Sequence, residues 1–410
     1  MENCLLVIGL VWPEPDSSAA GWRILQLIEI FREQGFEIHF ASAASKSEHS
    51  YPLEKLGIQE QAILLNDDSF DEYVRDLKPD YVMFDRFMVE EQYSWRIREN
   101  CPQAIHILDT EDLHFLRQAR QDAFKKGKEL DELSLYSDLA KREIASIYRS
   151  DLSIIISEYE MNLLVQQFHI PESLLVYLPL LNRDFIRDNE LPTFEERKDF
   201  MFIGNFIHEP NWRTVLELKR IWPSIRKRLP QAELHIYGAY PSQKVWELNK
   251  PSSGFIIKGR AESALETMKN YRVLLAPIPF GAGQKGKFMD ALATQTPIVT
   301  TAIGTEGMLI EGNWPGFICQ EDDEFVERSI ELYSQEDVWR SAQDRGQHLS
   351  ELWKAKQDRN RLFHMLFPIK DNLEVHRLKN FVGQMLWSNQ FAASKYMSLW
   401  IEAKNGKKNL

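Results

Sequence analysis

Apolar residues recur along this chain in two alternating rhythms. Residues 4–10, Cys4-Leu5-Leu6-Val7-Ile8-Gly9-Leu10, form a short continuous apolar run that stops at the Pro-rich stretch Trp12 to Pro15. From 19 to 34, Trp22, Leu25, Ile28 and Ile30 fall at helical spacing, and Gly35 ends the pattern. Short bounded apolar runs predict buried strands, and a 3.6-residue period predicts helices. Further strands are predicted at 36–41, 80–85, 104–109, 152–157 and 174–178, with helices between them. Strands alternating with helices predict a parallel sheet covered on both faces.

Residues 182–198 break this rhythm: they are charged, weakly periodic and contain Pro192, which predicts a linker. The alternation then restarts, with strands predicted at 200–204, 233–238, 255–258, 272–277 and 297–300 and helices at 211–228, 262–270 and 286–294. From about 321 the pattern is mostly helical. The reading is an α/β protein of two Rossmann-like, doubly wound domains, 1–181 and 199–370, facing a shared cleft. Residues 371–410 carry Val382, Met385, Leu386, Phe391, Met397 and Trp400 at loosely helical intervals, and are expected to pack back on the first domain. In two facing sheets of this kind, ligands bind at the carboxyl ends of the strands.

Composition narrows the classes. The 410 residues are 44% hydrophobic and 27% charged, which excludes fibrous and low-complexity classes and argues against wholesale disorder. A net charge of −12 provides no global field to attract nucleic acid. Cys4, Cys101 and Cys319 lie far apart, which argues against a disulfide framework or a cysteine zinc site and for a reducing compartment. No apolar run approaches the roughly 20 residues that span a bilayer. A cytoplasmic location is expected, with peripheral membrane contact left open through basic helices around Lys125, Lys126 and Lys128 or Lys219, Arg220, Arg226, Lys227 and Arg228.

The most informative segment runs from Pro277 to Asp290. Gly281, Gly283 and Gly286 satisfy G-x-G-x-x-G, and Gly281, Gly286 and Lys287 approach a P-loop. A P-loop needs a hydroxyl after its lysine to ligate Mg²⁺, and Phe288 stands there. The dinucleotide fingerprint needs a tight turn straight off a strand, and Pro277 and Pro279 intervene, although Glu306 does lie about twenty residues on. What remains is a loop feeding a helix, two lysines, and an acid one turn further in. Lys285 and Lys287 with the helix amides suit a diphosphate, and Asp290 suits ribose hydroxyls. The plainer alternative is a glycine turn and a surface Lys287–Asp290 ion pair.

Four blocks resemble the retaining glycosyltransferases of family 4, which have the two-domain GT-B fold. They are Phe202-Ile203-Gly204-Asn205-Phe206 with His208, Pro210 and Asn211; Trp222-Pro223 through Leu229-Pro230, Ala232, Leu234, Ile236 and Gly238; Gly281 through Asp290 with Ala291-Leu292-Ala293; and Pro297 through Thr301 with Gly304, Glu306 and Gly307. The resemblance implies a nucleotide-sugar donor site in 199–370, built from Gly204, Asn205, Gly281, Gly283, Lys285, Lys287, Asp290, Gly304, Glu306 and Gly307. It also implies an acceptor side in 1–181. The family's donor motif is Glu, seven residues, Glu; its second Glu aligns with Asp290 and its first with Ala282. The arginine and lysine that many members carry after the first donor-domain strand are missing, so Lys285 and Lys287 are left to supply the positive charge.

On the first domain, the loop with Ser18, Gly21 and Arg23 follows the first strand and opens a helix. Arg23 is read there as meeting an anion, with a simple helix start capped by Ser17 or Ser18 as the alternative. The segment 107–117 concentrates Asp109, Glu111, Asp112, His114 and Arg117 after a central strand. Asp109 and His114, with Lys287, are the candidate catalytic residues, while Asp112 reads better as a helix cap and His106 as a core histidine. No D-x-D triad occurs and the histidines are scattered, so no metal and no cofactor beyond the nucleotide sugar is expected. The expected activity moves a hexose from a nucleotide-diphosphate sugar to an acceptor hydroxyl, with retention implied by the resemblance. The alternatives are a sugar-nucleotide epimerase on the same fold, a dinucleotide oxidoreductase, or a degenerate transferase fold used for binding.

Overall fold

A computed structural model describes residues 3–182, 191–389 and 391–406; the expected linker thus lies partly outside the described residues, at 183–190. The first sheet contains β1 (Cys4–Gly9), β2 (Glu37–Ser42), β3 (Gln59–Ala62), β4 (Tyr81–Asp85), β5 (Ile105–Asp109), β6 (Leu152–Ile155) and β7 (Leu175–Tyr177). The second contains β8 (Lys198–Ile203), β9 (Leu234–Tyr237), β10 (Phe255–Gly259), β11 (Tyr271–Ala276), β12 (Ile298–Thr301) and β13 (Gly316–Cys319). The orders are β3-β2-β1-β4-β5-β6-β7 and β10-β9-β8-β11-β12-β13, every pairing parallel. Each order reverses beside its first strand, β1 or β8. That switch point opens a crevice at the carboxyl ends. The architecture is the two-domain GT-B arrangement.

Helices cover both faces because the central strands are buried on both. All five residues of β4 and of β5 are buried, so they read as continuous apolar runs rather than alternating ones. The polar strand β3, Gln-Glu-Gln-Ala, sits exposed at the sheet edge and carries no apolar signal; the sequence reading missed it for that reason. The helix Ala19–Glu33 starts at Ser18, whose hydroxyl accepts the Gly21 amide at 3.0 Å, and stops before Gly35 at a φ of +76°.

The chain crosses back to the first domain earlier than a boundary at 370. Helix Glu336–Lys356 still belongs to the second core through Ala342, Leu349 and Trp353. Leu362, Phe363, Leu366, Ile369 and Leu373 then pack into the first core with Phe31 and Phe36. Their apolar side chains complete a core that residues 1–181 leave open. Beyond them, helix Phe381–Asn389 lies on helix Asp138–Arg149, and helix Phe391–Gly406 on helix Phe87–Asn100.

Candidate functional site

A cavity of about 530 Å³ lies between the two domains, and loops at the carboxyl ends of both sheets wall it. Pro15 to Ala20 after β1, Arg86 after β4, and Glu111, Asp112, His114 and Arg117 after β5 form one wall. Gly204 to Asn211 after β8, Gly238 and Ala239 after β9, Arg260 after β10, and Ile278 to Asp290 after β11 form the other.

Three of the expected donor residues, Lys285, Lys287 and Asp290, meet at the start of one short helix, Gly286–Ala293, with Lys285 at its N-cap. Lys287 donates from Nζ to Asn211 Oδ1 at 2.7 Å and lies 4.6 Å from the Phe202 ring. Burial in the cleft and repulsion by Lys285 push its ammonium down to about 7, against the pull of Asp290. Lys285 donates to the Gly283 carbonyl at 2.8 Å; burial lowers it to about 8, with Glu306 opposing the shift. Asp290 sits one turn inside the helix, buried and on the cavity wall. Gly204, Asn205 and Gly281 also line the wall, with the Asn205 carbonyl accepting from Asn211 Nδ2 at 3.0 Å. Two lysines that have surrendered part of their solvation, next to the first amides of a helix, are suited to hold an anion.

Gly283 serves the wall from behind. Its φ is +61° and its amide donates to Glu160 Oε1 at 2.9 Å. A Cβ there would come within 2.7 Å of the Asp112 side chain, so a glycine lets the loop reach across to the first domain.

Other expectations require correction. Gly304, Glu306 and Gly307 are not on the cavity wall. The Gly304 amide bonds Thr301 Oγ1, and the Gly307 carbonyl accepts from Gln284 Nε2 at 2.7 Å. Both Glu306 oxygens are taken by Arg120 at 2.7 Å each. This loop braces the domain contact, because Arg120 also donates to the Gly281 carbonyl. Arg23 does not meet an anion in the cleft. It is fully buried, donating to the Pro179 and Leu178 carbonyls at 2.8 and 2.7 Å beyond β7. Gly21 is likewise off the wall, pressed on the Glu14 backbone, where a Cβ would lie 2.4 Å from the Glu14 carbonyl oxygen. Ser18 lines the cavity while acting as the helix cap.

Asp109 ends β5 beside Asp85 of β4 and is fully buried without reaching the cavity. Burial raises its carboxyl to about 6, Arg23 pulls the other way, and Asp85 adds to the rise. It balances charge beneath the wall, and the residue at the surface there is Glu111. Burial and repulsion by Asp109 raise Glu111 well above the usual carboxylate range. His114 does line the cavity, its Nδ1 lying 3.1 Å from the Asp112 carbonyl and 3.4 Å from Glu143 Oε1. Burial alone would raise the neighbouring Asp112 carboxyl, but Arg117 and His114 hold it well below its ordinary range. Asp112 thus pairs with Arg117 rather than capping through its side chain.

Arg86, Arg117, Arg260 and His208 line the cavity and were not singled out as site residues. Arg86, which lies after β4 with a φ of +75°, was findable by the rule that function sits at strand carboxyl ends. His208 stood inside the first block of the resemblance without being given a role, and Arg260 carries no local signal. Among the described residues, one group could hold a metal: Asp199, Glu233 and His235, with ligand atoms within 4.8 Å of one another. It lies at the amino ends of β8 and β9, remote from the cavity, and shows that one histidine is less scattered than the sequence suggests.

A family model described as "Glycosyl transferases group 1" matches residues 197–335. No curated protein matches the chain. Among solved structures, HepE of Anabaena, in complex with UDP and glucose, is similar with a TM-score of 0.62 at 11% identity, over 90% of this chain and 99% of that one. Sucrose-phosphate synthase from Thermosynechococcus elongatus is similar with a TM-score of 0.61 at 14% identity, over 96% and 100%. A mutant S. aureus TarM, in complex with UDP, alpha-GlcNAc-glycerol and Fondaparinux, gives 0.56 at 12% identity over 73% of this chain; the chain spans only 58% of TarM's length. Residues 197–335 are therefore similar to a glycosyl transferases group 1 domain, carried on a GT-B fold.

Proposed function

We propose that the whole chain transfers a hexose from a nucleotide-diphosphate sugar to an acceptor hydroxyl, with retention of configuration. The observation that carries this reading is one interdomain cavity in which Lys285, Lys287 and Asp290 from one helix start face Ser18, Glu111 and His114 of the other domain. Asp290 accepts hydrogen bonds from the ribose hydroxyls, and Lys285, Lys287 and the helix amides hold the diphosphate. The leaving group is an anion, so the barrier falls when positive charge is already in place where negative charge grows. Lys287 is the strongest such group, because a diphosphate restores the full charge that burial has weakened. The second domain thereby binds the donor and the first domain the acceptor. The UDP held by the similar solved structures supports a nucleoside diphosphate as the ligand class.

The test separates binding from catalysis. Asp290→Ala is expected to raise the donor dissociation constant about tenfold, one charge-assisted hydrogen bond of about 1.5 kcal/mol. Lys287→Ala is expected to lower kcat about 100-fold while weakening nucleoside diphosphate binding much less, because its charge contact grows in the transition state. Equal losses in kcat and in binding would move Lys287 out of the catalytic role. Nucleotide binding with no transfer to any acceptor class would favour the binding-only alternative.

A further inference from the structure

Histidines scattered along the sequence gave no reason to expect a metal, but adjacent strands gather one of them with two acids. Residues 233, 235 and 237 alternate along β9, so Glu233, His235 and Tyr237 leave the same face of the sheet. Leu234 and Ile236 point to the other face and are fully buried. Asp199 joins the first group from the start of β8. Phe200 pairs with Leu234 in the sheet, and the Glu233 amide donates to Asp199 Oδ1 at 2.8 Å. One ligand atom from each of Asp199, Glu233 and His235 lies within 4.8 Å of the other two.

The imidazole is aimed at the carboxylates and held in that orientation. His235 is only 9% exposed. Its Nε2 lies 2.9 Å from Glu233 Oε2, and its Nδ1 lies 2.7 Å from the Tyr271 hydroxyl, which is 2.8 Å from the Tyr237 hydroxyl. A histidine that binds a metal through one ring nitrogen is ordinarily fixed by a hydrogen bond at the other. When Nδ1–H donates to Tyr271, and Tyr271 donates on to Tyr237, Nε2 turns its lone pair toward two carboxylates. Lone pairs that face one another are joined by a cation between them. Among the described residues, no lysine or arginine forms an ion pair with Asp199 or Glu233. An imidazolium would balance one carboxylate and leave the other.

We infer that Asp199, Glu233 and His235 bind a divalent transition-metal ion of the Zn²⁺ kind. An imidazole nitrogen and two carboxylate oxygens suit the tetrahedral shell of Zn²⁺, with water as the remaining ligand. Ca²⁺ takes roughly six to eight oxygen ligands and Mg²⁺ holds a rigid octahedral shell, so the imidazole selects against both. The site lies at the amino ends of the strands, away from the cavity at their carboxyl ends, so the ion takes no part in the proposed transfer. It ties the start of β8 to the start of β9 and so stabilises the second domain.

Calorimetric titration of the EDTA-stripped full chain with ZnCl₂ tests this without any transferase assay, so the inference stands or falls apart from the proposed activity. Zn²⁺ is expected to bind with a dissociation constant of about 10 μM or below and to raise the unfolding temperature, whereas MgCl₂ and CaCl₂ at the same concentration do neither. Glu233→Gln and Asp199→Asn are each expected to weaken Zn²⁺ binding about tenfold or more, and His235→Gln to weaken it at least as much. Co²⁺ in place of Zn²⁺ is expected to show the visible absorption of a tetrahedral centre, and Glu233→Gln to remove it. His235 is buried, so the carboxylate variants decide the matter if His235→Gln does not fold; an unfolding curve without metal checks each one. No binding of Zn²⁺, or Mg²⁺ or Ca²⁺ bound as tightly, would overturn the inference. So would Zn²⁺ binding that Glu233→Gln and Asp199→Asn leave unchanged, which would put the ion on other side chains.

Discussion

Lys285 and Lys287 stand at about 8 and 7 because the cleft removes water from two ammonium groups that also repel each other. A bound diphosphate reverses that balance and draws protons onto both. Donor binding is therefore expected to take up protons near neutral pH. Affinity is expected to fall as pH rises above about 7, by up to about tenfold per pH unit for each proton taken up. Calorimetric titrations in buffers of different ionisation enthalpy measure that uptake, and an affinity flat from acid to pH 9 would contradict it. The contribution of the same lysines to stability has the opposite sign. Their folded values lie below the unfolded one, so the unfolded chain binds more protons, and stability rises with pH from about 7 upward.

Among elements, helix His114–Lys125 does two jobs at its two ends. Its first residue lines the cavity, while Arg120 reaches across to grip Glu306 and the Gly281 carbonyl. Arg120 and Glu306 are both largely buried, at 7% and 14% side-chain exposure, so removing one partner strands the other. Arg120→Ala is expected to destabilise the folded chain by about 3 kcal/mol, whereas the double change Arg120→Met and Glu306→Met should cost much less. Denaturant melts of the two variants give the comparison; equal losses would mean the pair is screened by solvent. The loop Gly281–Gly283 is set on the same contact, because Arg120 bonds Gly281 and Glu160 bonds Gly283, so on the proposed function Arg120→Ala is also expected to weaken donor affinity.

At the scale of the molecule, the chain leaves its first domain, builds the second and returns to finish the first. Leu366 is fully buried in the first core although 348 residues separate it in sequence from Ser18, which starts that domain's first helix. Leu366→Ala is expected to cost about 2–5 kcal/mol, the range for a large-to-small change in a close-packed core. The loss should be seen as unfolding of the first domain, followed by its own tryptophan signals in a urea titration. A variant that destabilises only the second domain would place the C-terminal helices elsewhere. The return also binds the two domains together around the cavity they share.

The alternation of apolar runs with helical periods was enough to specify two parallel sheets, because strands buried on both faces must be apolar throughout, and it also located the helix start that carries Lys285, Lys287 and Asp290 onto the cavity wall. Those residues were legible since turn, charge and acid lie within ten positions of one another. Three features were not legible. Arg23 looked like an anion contact, but its side chain runs inward to the Leu178 and Pro179 carbonyls, more than 150 residues away in sequence. Glu306 matched a nucleotide motif, but Arg120 claims both its oxygens. Asp109 carried the right chemistry at the right strand end, yet burial puts it under the wall and leaves Glu111 at the surface. Local pattern determines which elements form, because each periodicity reflects the faces one element must bury. Which charged side chain reaches the cavity and which is spent bracing it depends on partners brought close only when the two domains meet.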